Sequence, residues 1–491
     1  MSSFGAMTTR RLFTIMFGIS IFVLAVRQTV DPDLWWHLKT GETIMKQGIL
    51  RSDVFSFTIP GHPWITHEWL SEVFMWKIYQ AGGLSLLIIL FAFLTASAFW
   101  LVYWTSAGRP YLAAMVVILA LICSAVTFGQ RPQIFTLFFL TIYVNVVERF
   151  RDRKIGPKAL LLLPLLTVLW ANMHSGYVVG VVLLGTYTIG AVLDLSFQNR
   201  DPHCLTQRQT VWLAGVTAFC MASALLNPNG YYLWIYPMLT LGSSFMQTVL
   251  QEWLPPNFHE PRFWAFGVMM ILGVGAGFRS RRKPVLTDVL LFLGTAAAGL
   301  CSARHIPIFA VVAAPIISRI LIGNFEGFKI HPWLTGEFLD RKPSKFISAL
   351  HGTILAAFVL LAASRTHLYL EGNSQMVKKR FPVAACDFLE KNGLGHRRGY
   401  HEYHWGGYLI FRGFPVFVDG RADVYGDSFL SRYLAVYRLK EDWNQILEEF
   451  QIDYILMARD YPLKAVLATT RQWQQAYEDD IAQIFIRQPW T

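Results

Sequence analysis

The sequence predicts a polytopic α-helical membrane protein with about eleven transmembrane helices, followed by a C-terminal extracytoplasmic α/β domain. Of the 491 residues, 54% are hydrophobic and only 15% are charged, which is too apolar for a soluble chain of this size. Apolar runs of roughly the length of a membrane span recur up to residue 364. Beyond that point the composition becomes that of a soluble domain, with short helix and strand patterns.

The apolar runs give the predicted order of helices. The first resembles a signal peptide, but no small-residue cleavage site precedes Arg27, so we expect a retained span. Several runs are shorter than the ~20 residues that a full span prefers. We therefore predict a transmembrane domain at 1–364, with a first loop at 28–82, and a soluble domain at 365–491. The runs cover residues 11–27, 83–104, 111–128, 133–147, 158–172, 177–195, 211–226, 262–278, 285–301, 306–322 and 347–364.

The loops predict the orientation of the chain. If the N-terminus is cytoplasmic, alternate connections hold most of the loop Lys and Arg, as the positive-inside rule requires. The opposite helix ends carry unusual polar residues, which would lie outside the cytoplasm with the first loop and the C-terminal domain. The basic connections are those around Arg109 and at 148–154, 199–209, 279–283 and 323–345. The polar ends are at 130–133, 170–174, 227–230, 252–253 and 303–305.

The net charge of +11 is thus explained by topology. No basic stripe with interleaved aromatic residues remains to bind a nucleic acid, so we expect no nucleic-acid partner.

The first loop holds a string, Asp-Pro-Asp, that is typical of a helix start. Asp33 and His37 are four residues apart and would share one face of the short amphipathic helix that follows. In the plainer alternative, Asp31 only caps that helix. Together with an apolar and aromatic flank, the string indicates a helix that lies at the membrane surface.

A second short helix in the first loop would begin near Thr66 and carry His67, Glu68 and Glu72. The two glutamates are four residues apart, so one helix face could present both carboxylates to the first helix. Two acid-bearing helices at a membrane surface indicate an active site there.

Several motifs of other protein classes are missing. No G-x-x-x-x-G-K-[ST] loop is present, which excludes a nucleotide-driven transport engine on this chain. His67-Glu68 begins a zincin-like string, but Ser71 stands where the second histidine ligand is required. The five cysteines form no C-x-x-C pair, so we expect neither a disulfide framework nor a zinc-cysteine site.

In the C-terminal domain we predict a helix at FPVAACDFLEKNG, helical structure at YLAVYRLKEDWNQILEEF, and strands at WGGYLIF, PVFVDG, IDYILMA and AQIFIRQ. A dense polar cluster lies between Gly-rich turns. It could be a metal site, or its acids could cap backbone amides in the turns. Its members are His401, Glu402, His404, Asp419, Arg421, Asp423 and Asp427.

With an outer first loop that carries Asp-x-Asp, two short helices and a return span, the chain resembles the GT-C class of integral membrane glycosyltransferases. It is most similar to a bacterial group whose first loop reads D-x-D-x-W-W-H-L-x-T-G and H-E-W-L. Those strings are residues 31–41 and 67–70 here. The strings RPQ, WANMHSG, LNPNGYYLW, ARHIPIF, WGGYLIF and VDGRADVYGD also resemble that group, so the resemblance covers nearly the whole chain.

The resemblance implies a polyprenyl-phosphate sugar donor and a lipid, glycan or protein acceptor outside the cytoplasm. It implies a multi-pass protein of the bacterial inner membrane, with a cytoplasmic N-terminus and an extracytoplasmic C-terminal domain. It also implies that an acidic residue of the first loop, Asp31 or Asp33, is the base or a metal ligand. No cofactor is certain; a divalent metal, if one is used, would be held by Asp31, Asp33 and Glu68.

Transfer from a lipid phosphate needs a base for the acceptor hydroxyl and cations for the leaving phosphate. We therefore assign catalytic roles to Asp31, Asp33 and Glu68, and expect Arg131 and Arg304 to hold phosphate oxygens. Trp35, Trp36 and Trp170 could line the substrate entrance. The candidate substrate-binding residues are His37, His67, Arg131, Gln133, Asn172, His174, Glu252, Arg304 and His305.

Each of these residues also has a structural explanation. Arg131 and Arg304 could end a span at the interface, and Asn172 and His174 could satisfy backbone groups at a helix end. The tryptophans could form an interfacial belt.

Three alternative functions remain at this point. The first is another lipid-linked transferase that moves a phospho-group or an acyl chain. The others are a non-catalytic transporter and an envelope scaffold protein. Transport is disfavoured because the polar residues gather on one face, whereas a transport path needs ionisable groups near the midplane.

Overall fold

The computed structural model describes residues 7–280, 283–337 and 343–488, most of which are helical. The helices before residue 372 are α1 (Thr9–Ala25), α2 (Asp33–Gln47), α3 (Trp69–Thr105), α4 (Tyr111–Ser124), α5 (Gln133–Arg151), α6 (Leu162–Met173), α7 (Tyr177–Ser196), α8 (Gln207–Ser223), α9 (Tyr232–Gly242), α10 (Ser244–Val249), α11 (Trp264–Arg279), α12 (Leu286–Cys301), α13 (Ile306–Phe325), α14 (His331–Thr335) and α15 (Lys345–Glu371).

The remaining elements form the C-terminal region. Its helices are α16 (Asn373–Arg380), α17 (Val383–Lys391), α18 (Gly406–Arg412), α19 (Ala422–Tyr437), α20 (Trp443–Glu449) and α21 (Leu463–Leu467). Its strands are β1 (Gly399–His401), β2 (Tyr454–Ala458), β3 (Trp473–Glu478) and β4 (Ala482–Arg487).

Every predicted apolar run coincides with a helix, from α1 to α15. Six helical segments of the described residues are long and apolar enough to cross a membrane, and those at α4, α6 and α12 are apolar but shorter. The chain therefore has the apolar helices of a membrane protein, while the number that cross stays a prediction. Parts of two predicted cytoplasmic connections, residues 281–282 and 338–342, lie outside the described residues.

Helix α13 is central and α15 is peripheral. α13 packs against α4, α11 and α12, and 67% of its apolar stretch is buried. α15 packs on α1, and only 6% of its apolar stretch is buried. An apolar helix with so little protein contact has the surface expected of a helix in lipid.

The first loop folds as two short helical segments. α2 begins at Asp33, as predicted, because the Asp31 Oδ1 accepts the Asp33 backbone N–H at 2.9 Å, and it ends at Gly48 with φ of 86°. The second segment is the start of α3. It begins at Trp69 rather than near Thr66, so His67 and Glu68 directly precede the helix.

A kink divides α3 into a loop segment and a membrane segment. Gly82 and Gly83 have non-helical backbone angles, and Gly83 has φ of 61°, which favours glycine. The kink therefore lets the acid-bearing start of α3 leave the direction of the apolar span.

The C-terminal region contains a four-stranded sheet in the order β1-β2-β4-β3. β1 is parallel to β2, and β4 is antiparallel to both β2 and β3. The predicted helix at 381–393 and the predicted strands at 452–458 and 482–488 coincide with α17, β2 and β4. Residue 364, the predicted domain boundary, lies within α15.

Two strand predictions are wrong. WGGYLIF forms α18, because Gly407 lets this helix pack on the first loop, where a Cβ would lie 2.4 Å from the Pro32 carbonyl oxygen, and Gly406 lets it pack on Val418. PVFVDG is outside the named strands, and its Val416 instead makes an isolated bridge with Ser56.

The first loop and the C-terminal region are joined by polar contacts. Arg421 is fully buried, with its guanidinium 2.6 Å from Asp53 Oδ1 and 2.6 Å from Asp419 Oδ2. The same guanidinium lies over the rings of Phe55 and Trp64. A buried charge with two carboxylates and two aromatic faces holds the two regions in one arrangement.

Candidate active site

A cavity of about 640 Å³ brings the first loop, several helix ends and the C-terminal region together. One part of its lining is apolar and comes from α5, α7, α9, α10 and α13. The predicted site residues that line it are Asp33, His37, His67, Glu68, Arg131, Gln133, His174, Glu252, Arg304 and His305. Polar groups that are far apart in sequence thus share one cavity, as the predicted sorting of helix ends requires.

Two predicted site residues do not line this cavity. Asp31 lies behind Asp33 and caps α2, as in the plainer alternative, although it also approaches Arg131. The Asn172 amide donates to the carbonyls of Val168 and Leu226 at 2.8 and 2.9 Å, and its oxygen accepts the Trp69 indole N–H at 2.9 Å. In the structure Asn172 therefore satisfies backbone groups at the end of α6.

Arg131 is the centre of the first charge cluster. Its guanidinium lies 2.7 Å from Asp33 Oδ2, 3.4 Å from Asp31 Oδ2 and 3.0 Å from Glu252 Oε2. The Trp36 indole N–H donates to Asp33 Oδ1 at 3.2 Å. One cation is thus shared by three carboxylates, two from the first loop and one from the segment before α11.

Burial changes the acidity of this cluster. It raises the pKa of Asp31 to about 7 and raises the pKa of Asp33, while the Arg131 guanidinium opposes both shifts. Burial also disfavours the Glu252 carboxylate, but Arg131 and Arg304 outweigh it and lower the pKa of Glu252. The cluster therefore holds Asp31, which exchanges a proton near neutral pH, and Asp33, whose pKa is also raised, beside a glutamate that stays ionised.

Glu68 is the centre of the second cluster. Its Oε1 lies 3.4 Å from His67 Nε2 and 3.3 Å from His174 Nε2, and its Oε2 lies 3.5 Å from His37 Nδ1. Burial alone would raise the pKa of Glu68, but the histidines, His67 first, outweigh it and hold this pKa well below the usual range. Glu68 is therefore a carboxylate.

The partners of His174 define its tautomer. The backbone N–H of Gly176 donates to Nδ1 at 2.9 Å. The Thr136 hydroxyl accepts the Trp170 indole N–H at 2.9 Å and donates to the same Nδ1 at 2.7 Å. The proton is therefore on Nε2, which faces Glu68. Burial lowers the pKa of His174 to about 4, so the ring is neutral.

His67 and His37 differ in charge. His67 Nδ1 donates to the Ile65 carbonyl at 3.2 Å while Nε2 faces Glu68, so both nitrogens carry hydrogen. Burial opposes that charge, but Glu68 outweighs it and raises the pKa of His67. Burial lowers the pKa of His37 to about 3, so this ring is neutral.

Arg304 and His305 supply the other cationic wall. Arg304 has one long ion pair, with Nη1 3.8 Å from Glu252 Oε1, and its guanidinium lies 4.3 Å from the Trp253 ring centroid. His305 Nδ1 donates to the Ala298 carbonyl at 3.3 Å. Arg304 is thus much less committed to carboxylates than Arg131, and it keeps donors for an anion in the cavity.

The C-terminal region forms part of the same site. Glu402, Tyr403, His404 and Asp423 line the cavity. A Cβ at Gly420 would lie 1.9 Å from Asp33 Oδ1, so only glycine allows this backbone to approach the candidate base.

The predicted polar cluster of this region is divided by the fold. Asp419 pairs with Arg421, and the His401 imidazole accepts the Phe417 backbone N–H at 3.0 Å. The Asp427 carboxylate accepts N–H and O–H groups of residues 243–245 and caps α10. Capping by acids in the turns, the second of the two interpretations, therefore holds for Asp427.

Three tryptophans and one tyrosine complete the description of the site. Trp36 lines the cavity, whereas Trp35 packs against Phe381 and Tyr408, and Trp170 is fully buried. The sequence interpretation did not select Tyr236, whose ring packs against that of His67 at 4.1 Å between ring centroids. No sequence signal separates this tyrosine from the interfacial aromatic residues around it.

The three residues suggested for a metal ion lie in two different clusters. Asp31 and Asp33 enclose a guanidinium, so they do not present a free ligand set to a metal ion. Among the described residues, the group with suitable spacing is His37, Glu68 and Glu72, whose ligand atoms lie within 4.8 Å of one another.

The solved structures of known proteins identify the fold. The Archaeoglobus fulgidus oligosaccharyltransferase tethered with an NVT-sequon acceptor peptide matches with a TM-score of 0.54 and 11% identity over 91% of this chain and 69% of that chain. The same organism's AglB in complex with an inhibitory peptide and a dolichol-phosphate matches with a TM-score of 0.53, 11% identity and the same coverage. The chain thus shares the fold of these oligosaccharyltransferase structures.

ArnT from Cupriavidus metallidurans bound to undecaprenyl phosphate has a TM-score of 0.46 and 13% identity over 96% of this chain and 97% of that chain. No family model and no curated protein matches the sequence.

Proposed function

We propose that this chain is a glycosyltransferase that moves a sugar from a polyprenyl-phosphate donor to an acceptor outside the cytoplasm. One observation carries the proposal: a single cavity joins the Asp33 carboxylate, the Arg304 guanidinium and an apolar wall. These are the three things that the reaction needs, namely a base, a phosphate ligand and a surface for a lipid. AglB, whose fold this chain shares, has been solved with a dolichol-phosphate.

Asp33 is the base in this proposal, and Asp31 supports it. Asp33 lines the cavity while Asp31 lies behind it. The acceptor hydroxyl attacks the anomeric carbon, Asp33 takes its proton, and the bond from that carbon to the phosphate oxygen breaks. Both electrons of that bond leave with the polyprenyl phosphate.

Arg304 and Arg131 have different roles. Arg304, with one long ion pair, would bind the phosphate and stabilise the charge that develops on it. Arg131 would orient Asp33 and keep its carboxylate form accessible despite burial. The Glu68 cluster would keep the positions of His37, His67 and His174 fixed in the cavity wall, because Glu68 stays negatively charged.

The test uses purified protein in lipid with a panel of polyprenyl-phosphate sugars, and it measures release of the polyprenyl phosphate. Asp33→Asn should lower kcat by about 10²–10⁴-fold, because general-base catalysis is typically of this size. Asp31→Asn is the matched control, because Asp31 is in the same loop and also lies near Arg131 but is behind the cavity. The loss of kcat in this variant should be much smaller. Equal losses, or full activity of Asp33→Asn, would contradict the assignment of the base.

The phosphate role has its own test. Arg304→Gln should raise the KM for the donor about tenfold or more and leave the acceptor KM nearly unchanged, since a charged hydrogen bond contributes roughly 1.5–3 kcal/mol. Arg262→Gln is the control, because Arg262 is exposed and pairs with Glu260 outside the cavity.

If no sugar donor turns over and a lipid-linked phospho- or acyl-donor does, the protein is a different transferase.

A further inference from the structure

His37, Glu68 and Glu72 converge where α2 crosses the start of α3. His37 Nδ1 lies 3.2 Å from Glu72 Oε1 and 3.5 Å from Glu68 Oε2. The crossing is close because a Cβ at Gly41 would lie 2.1 Å from the Glu72 carbonyl oxygen. Backbone packing therefore fixes the spacing of the three side chains.

One atom of this group has no partner. The Glu72 side chain is almost completely buried, and its Oε2 makes no hydrogen bond within the described residues. Burial and the adjacent Glu68 carboxylate raise the pKa of Glu72, and a buried carboxyl oxygen without a partner is costly. The single imidazole of His37 cannot supply donors to both carboxyl groups. Among the described residues, no lysine or arginine makes an ion pair with either one, and the charged His67 contacts only Glu68 Oε1.

The distances fit a metal ion. Ligand atoms at 2.0–2.2 Å from a tetrahedral metal are roughly 3.3–3.6 Å apart. The separation of 3.5 Å from His37 to Glu68 lies in this range and that of 3.2 Å from His37 to Glu72 is slightly shorter, while all three ligand atoms lie within 4.8 Å of one another. One imidazole nitrogen with two carboxylate oxygens is a ligand set that Zn²⁺ and Mn²⁺ accept.

The surroundings of Glu68 are also those of a metal ligand. Its Oε2 faces the group, whereas its Oε1 is bound by His67 and His174. Hydrogen bonds to the far oxygen orient a ligating carboxylate.

We propose that His37, Glu68 and Glu72 form a binding site for a divalent transition metal such as Zn²⁺ or Mn²⁺. His37 and Glu68 line the cavity and Glu72 does not, so an ion held by the three side chains would be reached from the cavity. The site is separate from Asp31 and Asp33, and it does not depend on the identity of the transferred group.

The experiment uses the full chain in lipid nanodiscs, stripped of metal with a chelator and titrated with Zn²⁺ in a calorimeter. We expect one equivalent to bind, with at least tenfold weaker binding in Glu72→Gln. Glu42→Gln is the matched control, since Glu42 is on α2 and pairs with Lys39 and Lys46 away from the cavity. Thermal unfolding of the metal-free variants checks that each is folded.

A second measurement needs no variant. X-ray absorption of the Zn²⁺-loaded protein should show a four-coordinate ion with one imidazole and oxygen ligands. No saturable binding, a ligand set with cysteine or several imidazoles, or equal Zn²⁺ affinity in Glu72→Gln and Glu42→Gln would each overturn the proposal. So would loss of binding in Asp31→Asn but not in Glu72→Gln.

Discussion

Helix α5 has a buried ion cluster at each end, and the two differ in charge balance. At its C-terminal end Arg151 and Arg319 each bind both Glu148 and Asp288, at distances of 2.6–2.9 Å. At its N-terminal end Arg131 alone serves three carboxylates, and Arg304 has a single long contact. The first cluster has two cations for two anions. In the second, three carboxylates share one arginine, and Arg304 still has hydrogen-bond donors that face a large cavity.

The two clusters are suited to different roles, one structural and one chemical. A closed, balanced cluster satisfies every charge and therefore connects helices, here α5, α12 and α13. A second cavity of about 380 Å³ reaches Glu148 and Arg319, but both are already paired. An unbalanced cluster that faces a cavity can change its protonation or its partner when a substrate enters.

The largest expected effect is on the balanced cluster. Arg151→Met should lower the free energy of unfolding by about 3–5 kcal/mol, because it leaves two buried carboxylates with half of their partners. Denaturant unfolding in detergent measures this. Arg149→Met, at an exposed position of the same helix, is the control and should have little effect. A stable but inactive Arg151→Met protein would mean that this cluster takes part in the reaction.

A smaller effect, on kcat, tests whether the C-terminal region positions Asp33 in the unbalanced cluster. Gly420→Ala adds a methyl group where only 1.9 Å separates it from Asp33 Oδ1, so the candidate base must move. Displacement by about 1 Å can cost roughly 10²-fold in rate. We expect kcat to fall by one to two orders of magnitude with little change in unfolding temperature. Gly294→Ala, which has open space at its Cβ, is the control. An unchanged kcat would show that Asp33 does not need this position.

The smallest effect is on pH dependence. The proposed base must be ionised, and burial raises the pKa of Asp31 to about 7 and that of its partner Asp33 above the ordinary value. The kcat/KM should therefore fall about tenfold per pH unit below an apparent pKa that is higher than that of an ordinary aspartate. Arg131→Gln should move this limb to higher pH, since it removes the charge that favours the carboxylates. A profile that is flat from pH 5 to 8 would contradict this.

Stability should change in the opposite direction over the same range. Because the folded-state pKa of Asp31 is above the unfolded value, its contribution to stability is complete below pH 4 and is lost as pH rises through 7. Unfolding measurements on wild type and Asp31→Asn test this sign: the variant should be less pH-dependent between pH 4 and 7.

The sequence was sufficient for elements that depend on local chemistry. The apolar runs coincide with helices because hydropathy and length are properties of each segment. The start of α2 at Asp33 was predicted because an Asp-Pro cap acts within three residues. The sorting of helix ends also brought Arg131, His174, Glu252 and Arg304 to one cavity.

Elements that depend on long-range packing were predicted less well. The WGGYLIF segment has strand-forming residues, yet its Gly407 packs on Pro32, which is far away in the sequence, and the segment forms α18. Helix-end geometry likewise assigns Asn172 to backbone contacts, and so decides between the two interpretations that the sequence left open for this residue.

By itself, then, the sequence determined that this is a membrane protein of apolar helices with acids in its first loop and cations at its helix ends. The tertiary structure decided which acid meets which cation: Asp33 with Arg131, Glu68 with three histidines, and His37 with Glu72. The reason is physical. Hydrophobic periodicity acts over neighbouring residues, whereas the pKa of a carboxyl group and the partner of an arginine depend on burial and on charges that only folding brings within a few ångströms.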